Sequence, residues 1–389
     1  MEKLRILISI LFAILIIRNG NAQNNLISEK QITDINQFIE KLSEQDRFSG
    51  TILIAKDNDI LYQKSVGLSN KEKNIKNNIN TKFNLASMNK MFTSVAIAQL
   101  VEKKELAYSD KVIKYLPYLP EMTFGKITIE QLLTHTSGLG DIFGNPAFFE
   151  IKDTAKTLTT YVNLCINDTL LFEPGSKFMY SNYAYILLGA IIEQISKTNY
   201  FQYVKKNIFL PSKMQNTDSY GTDEEVENLA IGYALPMPPP NGKPMLAPEN
   251  AQREPNTKLI EVKGTSAGGG YSTAIDLHKF SLALLNGKLI APESVKTITS
   301  GKIALPKMPT PPNSKPMPEI KYGFGFGEFY KNNVRIIGHN GGAPGVDVQT
   351  DIYPELGYTV VVLSNYGRTV LPIINFIEDI ITNPTGADF

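Results

Sequence analysis

Phe83-Asn84-Leu85-Ala86-Ser87-Met88-Asn89-Lys90 leads into an apolar run from Met88 to Glu102 with the spacing of a helix. A serine in the first turn of that helix has Lys90 one turn later on the same face, so the amine can reach the hydroxyl. The helix N-terminus supplies backbone N–H groups and a positive potential for a developing oxyanion. Burial and that positive end both disfavour a charged lysine, so Ser87 and Lys90 can act as nucleophile and base without a histidine. Ser-x-x-Lys occurs only here in the chain, although a serine before an apolar run is also a common helix cap.

Two further segments carry compatible chemistry. Glu173-Pro174-Gly175-Ser176 is a turn that delivers Tyr180 and Asn182 just before a helix over Tyr183 to Ile195. A phenol beside a lysine can carry a proton, and the Asn182 amide can hold Lys90 and donate to a substrate carbonyl. Tyr-x-Asn recurs at Tyr161/Asn163 and Tyr330/Asn332, read as helix and strand-end residues; the preceding turn selects Tyr180. Gly338-His339-Asn340-Gly341-Gly342-Ala343-Pro344-Gly345 is expected at the end of one strand and before the next. Its glycines let backbone approach a ligand, and the Gly342 N–H can complete an oxyanion hole; the bland alternative is a glycine-rich hairpin.

Taken together and in this order, Ser87-x-x-Lys90, Tyr180-x-Asn182 and His339-x-Gly341 resemble the serine β-lactamase and penicillin-binding superfamily, specifically its class C-like branch. The segments Leu132 to Leu139 and Ala267 to Ala274 look like recurring segments of that branch, and the resemblance spans roughly residues 30 to 380. It implies an α+β fold, a mainly antiparallel sheet flanked by helices plus a mostly helical subdomain, with the site between them. It also implies acylation of Ser87, proton transfer by Lys90 and Tyr180, an oxyanion hole from the Ser87 and Gly342 N–H groups, and substrate binding by Asn182, His339 and Gly341. No cofactor and no metal is implied. Members that act on β-lactams or as carboxypeptidases usually begin the third motif with lysine. His339, mostly neutral at pH 7, weakens a carboxylate anchor, so the sequence looks more like the branch's esterases and D-amino-acid peptidases than its β-lactamases or D,D-carboxypeptidases. A non-catalytic acyl-binding or assembly protein on the same fold is the alternative from another class.

The rest of the chain fits that architecture. Glu29 to Gln45 has helical spacing; Gly50 to Ala55 and Ile60 to Gln63 read as strands joined by a hairpin at Lys56 to Asp59. Thr128 to Leu133 and Ala274 to Leu285 read as helices, Tyr322 to Tyr330, Val346 to Ile352 and Thr359 to Leu363 as strands, and Leu371 to Ile381 as a closing helix. Strands at about 30–85 and 320–389 around a helical and loop region at about 86–319 predict one sheet built from distant parts of a single domain, residues 23–389. Leu235 to Pro255 and Leu305 to Pro318 are proline-dense and read as extended loops, as surface excursions or as walls of a cleft.

Composition bounds the function. The 389 residues are 42% hydrophobic and 20% charged, with 39 Lys+Arg against 38 Asp+Glu, so the chain is globular and has no basic stripe for nucleic acid. Small molecules or peptides are the expected partners; the oligomeric state is left open. Cys165, the single cysteine, sits in a helix-like setting and reads as a buried structural residue. His135 is expected to cap or buttress the helix ending at Leu133, and His278 to be a packing or surface residue; Asp351 receives no role. Three scattered histidines give no metal-binding spacing. Met1 to Ala22 reads as a signal peptide: Lys3 and Arg5, an apolar run from Ile6 to Ile17, then small residues before a cleavage point after Ala22. The mature protein is then expected to be secreted or periplasmic and free of the membrane, an uncleaved anchor being the lesser reading.

Overall fold

The computed structural model describes residues 26–236, 252–306 and 318–383. The signal-like segment and most of both proline-dense stretches lie outside the described residues. The architecture is α+β. Eight strands form one antiparallel sheet: β1 Gly50–Lys56, β2 Asp59–Val66, β3 Ile303–Ala304, β4 Lys321–Tyr322, β5 Gly327–Lys331, β6 Val334–Ala343, β7 Val346–Tyr353 and β8 Tyr358–Ser364, in spatial order β2-β1-β8-β7-β6-β5-β4-β3. β1 pairs with β8 in the register Gly50↔Ser364 to Lys56↔Tyr358, so the sheet joins the two ends of the described chain.

Both sheet faces are covered, and the central strands are accordingly apolar on alternate residues in both directions. Ile52 and Ile54 of β1 and Val360 and Val362 of β8 pack against α1 (Glu29–Glu44) and the C-terminal helix, α6 (Leu371–Thr382), through Ile35, Ile39, Ile373 and Ile377. Leu53 of β1 and Val361 and Leu363 of β8 face the helical half. Its centre is α2 (Asn89–Glu102), buried around nearly its whole circumference from Asn89 to Ala98, beside α4 (Asn182–Ser196). The shorter α3 (Ile129–Leu133) and α5 (Ala274–Leu285) complete the elements that frame the site. Ser28 starts α1 with a reciprocal capping box to Gln31, and Thr128 does the same for α3 with Gln131.

One expectation needs correction. The run Tyr322 to Tyr330 is two antiparallel strands, β4 and β5, because Gly323 to Phe326 turns between them. Gly325 has φ +70°, and a Cβ there would fall 2.2 Å from Ser94 Oγ and 2.6 Å from the Lys90 carbonyl oxygen, so this turn presses on α2. The segment Gly338 to Ala343 lies, as expected, at the end of one strand and before the next: it is the second half of β6, paired with β7 through Ala343↔Val346. Its composition hides the pairing: three of its six residues are glycines, which carry no strand propensity. His278 is buried on α5 and Cys165 is fully buried on a helix over Leu158–Cys165, where burial pushes its thiol up to about 12.

Candidate active site

Ser87 lies in a single 3₁₀ turn, Ala86–Met88, that feeds directly into α2. Ala86 takes the left-handed conformation, φ +42°, at a cost of roughly 1–2 kcal/mol for a residue with a Cβ. The strained turn is pinned from the segment Thr265 to Gly270: the Gly269 N–H donates to the Ala86 carbonyl at 3.1 Å, and the Leu85 N–H donates to Gly270 O at 2.7 Å. Strand edge β6 closes the other side. Beyond Gly338 this strand has no β5 partner, and a Cβ on Gly341 would sit 2.2 Å from the Leu85 carbonyl oxygen. Glycine is required at 341 for the sheet edge to reach the serine.

Lys90 is fully buried, and its Nζ is 3.2 Å from Ser87 Oγ, 2.8 Å from Asn182 Oδ1 and 2.6 Å from the Ala267 carbonyl oxygen. Burial brings its pKa down to about 7 against the opposing pull of Asp141 and Glu261. A neutral amine has two hydrogens and one lone pair. Asn182 Oδ1 and Ala267 O accept the hydrogens, which leaves the lone pair for the Ser87 hydroxyl proton. This arrangement can generate a serine alkoxide-like nucleophile near neutral pH.

Tyr180 flanks the same pair. Lys90 Nζ stands 4.7 Å from its ring centroid, and its hydroxyl interacts with Ser87. Burial pushes the phenol well above its ordinary value, so Tyr180 is a protonated hydrogen donor and not a phenolate. Asn182 is the first residue of α4, capped by Ser181, whose Oγ accepts from the Ala184 N–H at 3.2 Å. The Asn182 Nδ2 and backbone N–H both donate to Asp141 Oδ2, at 2.9 and 2.7 Å. Asp141 therefore dictates which way the amide faces, and one of the two Nδ2 hydrogens is already committed. Sequence reading missed Asp141; the only available signal was its place two residues after Leu139.

His339 occupies a different position from the one expected of a substrate anchor. It is buried at 8% exposure, and both ring nitrogens are engaged, Nε2 with the Tyr322 hydroxyl at 2.9 Å and Nδ1 with its neighbour Asn340 O. Tyr322 in turn lies 3.2 Å from His135 Nε2, and His135 Nδ1 accepts from the Ser181 N–H at 3.1 Å. Each proton in this chain has one consistent place: Ser181 N–H to His135, His135 Nε2–H to Tyr322, Tyr322 O–H to His339, and His339 Nδ1–H to Asn340 O. Burial and the Lys90 charge hold both imidazoles below their ordinary value, His339 down to about 3, so both are neutral. His135 follows α3 at φ +58°, as expected of a residue at that helix end, but its ring buttresses Tyr180 and α4 instead of α3.

Ser87, Asn182 and Gly342 line one narrow cleft of about 60 Å³ with Phe143, Glu261 and Gly268. A Cβ on Gly342 would meet nothing within 4 Å, so this residue, which lines the cleft, borders open space. The structure thus brings together Ser87, Lys90, Tyr180, Asn182 and Gly342, sets Gly341 against the nucleophile turn, and places His339 behind them.

The chain is 33% identical over 339 residues to Penicillin-binding protein 4* of Bacillus subtilis, covering 84% of this chain and 70% of that one. A penicillin-binding protein from Bacillus halodurans superposes with a TM-score of 0.76 at 27% identity, covering 88% of this chain and 98% of its own. The D-amino acid amidase of Ochrobactrum anthropi, 22% identical, shares the fold with a TM-score of 0.74 over 90% of this chain and 99% of its own. The family model described as Beta-lactamase matches residues 35–372, and the chain belongs to this family of serine hydrolases.

Proposed function

We propose that the protein is an exported hydrolase that cleaves an ester or amide bond through an acyl-enzyme on Ser87. The observation that carries this reading is the buried Lys90 Nζ, 3.2 Å from Ser87 Oγ, with a pKa near 7. Lys90 takes the Ser87 proton as the hydroxyl attacks the carbonyl; Tyr180 relays a proton to the leaving group; the Ser87 and Gly342 N–H groups stabilise the oxyanion. Water then releases the acyl group by the same steps in reverse. Asn182 holds Lys90 and keeps one Nδ2 hydrogen for substrate.

An esterase or amidase preference over β-lactam hydrolysis is supported by His339, which is neutral and fully hydrogen-bonded where a carboxylate-binding cation would be needed. The likeness to Penicillin-binding protein 4* favours a second reading, acylation by β-lactams. Turnover of p-nitrophenyl acetate, D-alanine p-nitroanilide and nitrocefin by wild type and Ser87→Ala, with intact-mass detection of adducts, separates these. Ester or anilide turnover lost in Ser87→Ala supports the first; a long-lived nitrocefin adduct with slow ester turnover supports the second; no turnover and no adduct with any of them overturns both. Export rests on the segment Met1 to Ala22, and a secreted product with an N-terminal mass beginning at Gln23 is the expected result.

A further inference from the structure

Glu261 has no role in the chemistry just described, yet it lines the same cleft as Ser87 and Asn182. It sits on a stretch stitched down on both sides, where the Val262 N–H donates to Lys152 O at 2.8 Å and the Thr222 N–H donates to Val262 O at 2.7 Å. Glu261 lines the cleft beside Tyr161, and its charge favours the charged form of Lys90. Among the described residues it makes no ion pair. Lys152 is the other cation within its influence, and that amine is committed to Asp153 Oδ1 at 2.6 Å and Lys258 O at 2.9 Å.

A largely enclosed carboxylate without a cation is costly unless something arrives to pair with it. The charged groups around the cleft are Lys90, Lys152, Asp141 and Glu261. With Lys90 only partly charged at pH 7 and Lys152 already paired, the two carboxylates Asp141 and Glu261 make the field that an incoming group meets negative. Ile142, Phe143 and Ile260 add an apolar wall, and Phe143 is 53% exposed at its rim.

We propose that Glu261 is a specificity residue that binds a protonated primary amine on the acyl part of the substrate, so that the cleft selects amine-bearing acyl donors over N-acylated or anionic ones. This rests on the serine-hydrolase reading of the same cleft. The amine of an amino-acid amide, with a pKa of about 8, is mostly protonated at pH 7. Glu261 would hold it while the adjoining carbonyl faces Ser87, and the apolar wall would take the side chain.

The test measures binding, not turnover, by calorimetry at pH 7 on full-length Ser87→Ala protein with phenylalaninamide, N-acetyl-phenylalaninamide and N-succinyl-phenylalaninamide, each as both enantiomers. A charge-assisted contact predicts that the free amine of one enantiomer binds about 10–100-fold tighter than its N-acetyl counterpart. That ratio should fall to about one in Ser87→Ala/Glu261→Gln and recover in part in Ser87→Ala/Glu261→Asp. Equal affinity for the amine and N-acetyl compounds, tighter binding of the succinyl compound, or no binding of any of them overturns the assignment whether or not the Gln variant folds. An amine preference that survives Glu261→Gln overturns it too. If wild type turns over no substrate while the Glu261-dependent preference is present, the hydrolase reading has failed and the amine site stands.

Discussion

The imidazole of His135 lies against the ring of Tyr180, with centroids 4.2 Å apart and planes 28° from parallel. The two rings come from different elements, His135 from the end of α3 and Tyr180 from the turn before α4. The position of the proposed proton carrier is therefore set by a residue that touches no substrate. In His135→Ala the Tyr180 ring loses its support, and the Ser181 N–H and Tyr322 lose a partner. We expect kcat to fall about 10–100-fold and stability by about 1–3 kcal/mol, read from ester kinetics and urea unfolding. His135→Phe, which restores a ring but no hydrogen bonds, should recover more of kcat than of stability.

Lys90 must be neutral to accept the serine proton. Its pKa near 7 puts the acid limb of kcat/KM there, with activity rising as pH increases through about 7. Asp141 favours the charged lysine, so Asp141→Asn should move that limb to lower pH while lowering kcat about tenfold through loss of the Asn182 anchor. A limb that moves to higher pH, or stays in place, would show that Asp141 does not act on Lys90 through its charge.

Gly341 and Gly342 are adjacent and sterically opposite. Alanine at 341 collides with the Leu85 carbonyl and should displace the turn that holds Ser87, abolishing acylation. Alanine at 342 meets no protein atom, so the fold should be kept and the methyl group should raise KM by crowding the cleft. Melting curves together with steady-state kinetics on the two variants check the contrast.

Asp351 on β7 and Glu378 on α6 form a buried acidic pair, and among the described residues only Glu378 has a direct cation, Lys331 at 3.0 Å. Burial and the neighbouring Glu378 push the Asp351 carboxyl well above its ordinary range. The folded state then holds more protons than the unfolded one at pH values above the ordinary carboxylate pKa, so this site loses stability as pH rises. Asp351→Asn should raise Tm by about 2–4 °C at pH 8, have little effect at pH 4, and leave ester kinetics unchanged. A lower Tm at pH 8 would refute the assignment of Asp351 as a destabilising charge.

The sequence made the nucleophile pair legible because Ser87 and Lys90 are neighbours on one local element, and helix geometry alone brings them together. Tyr180 and Asn182 were readable for a similar reason: a Pro-Gly turn and a helix start fix where they point. His339 was found as a residue but not as an environment, since its burial depends on Tyr322 and His135, which no local pattern connects to it. Asp141 and Glu261 escaped for the same cause. A single carboxylate has no periodicity, and its meaning comes only from what the fold sets beside it. The strands β1, β7 and β8 were evident from β-branched runs, whereas the glycine-rich half of β6 and the break between β4 and β5 depend on contacts with α2 and the nucleophile turn.

The pairing of β1 with β8 has a consequence for how this protein comes into being. Gly50 to Lys56 waits for partners from Tyr358 to Ser364, and Leu85 waits for Gly270, so both the sheet and the nucleophile turn close through contacts of very large sequence separation. Such topology slows folding relative to a chain of local contacts, and until β8 is available β1 offers an open, apolar edge on one side. The nascent chain thus carries an unclosed nucleophile turn until Gly270 has been made, and an unpaired β1 edge until Ser364 has been made.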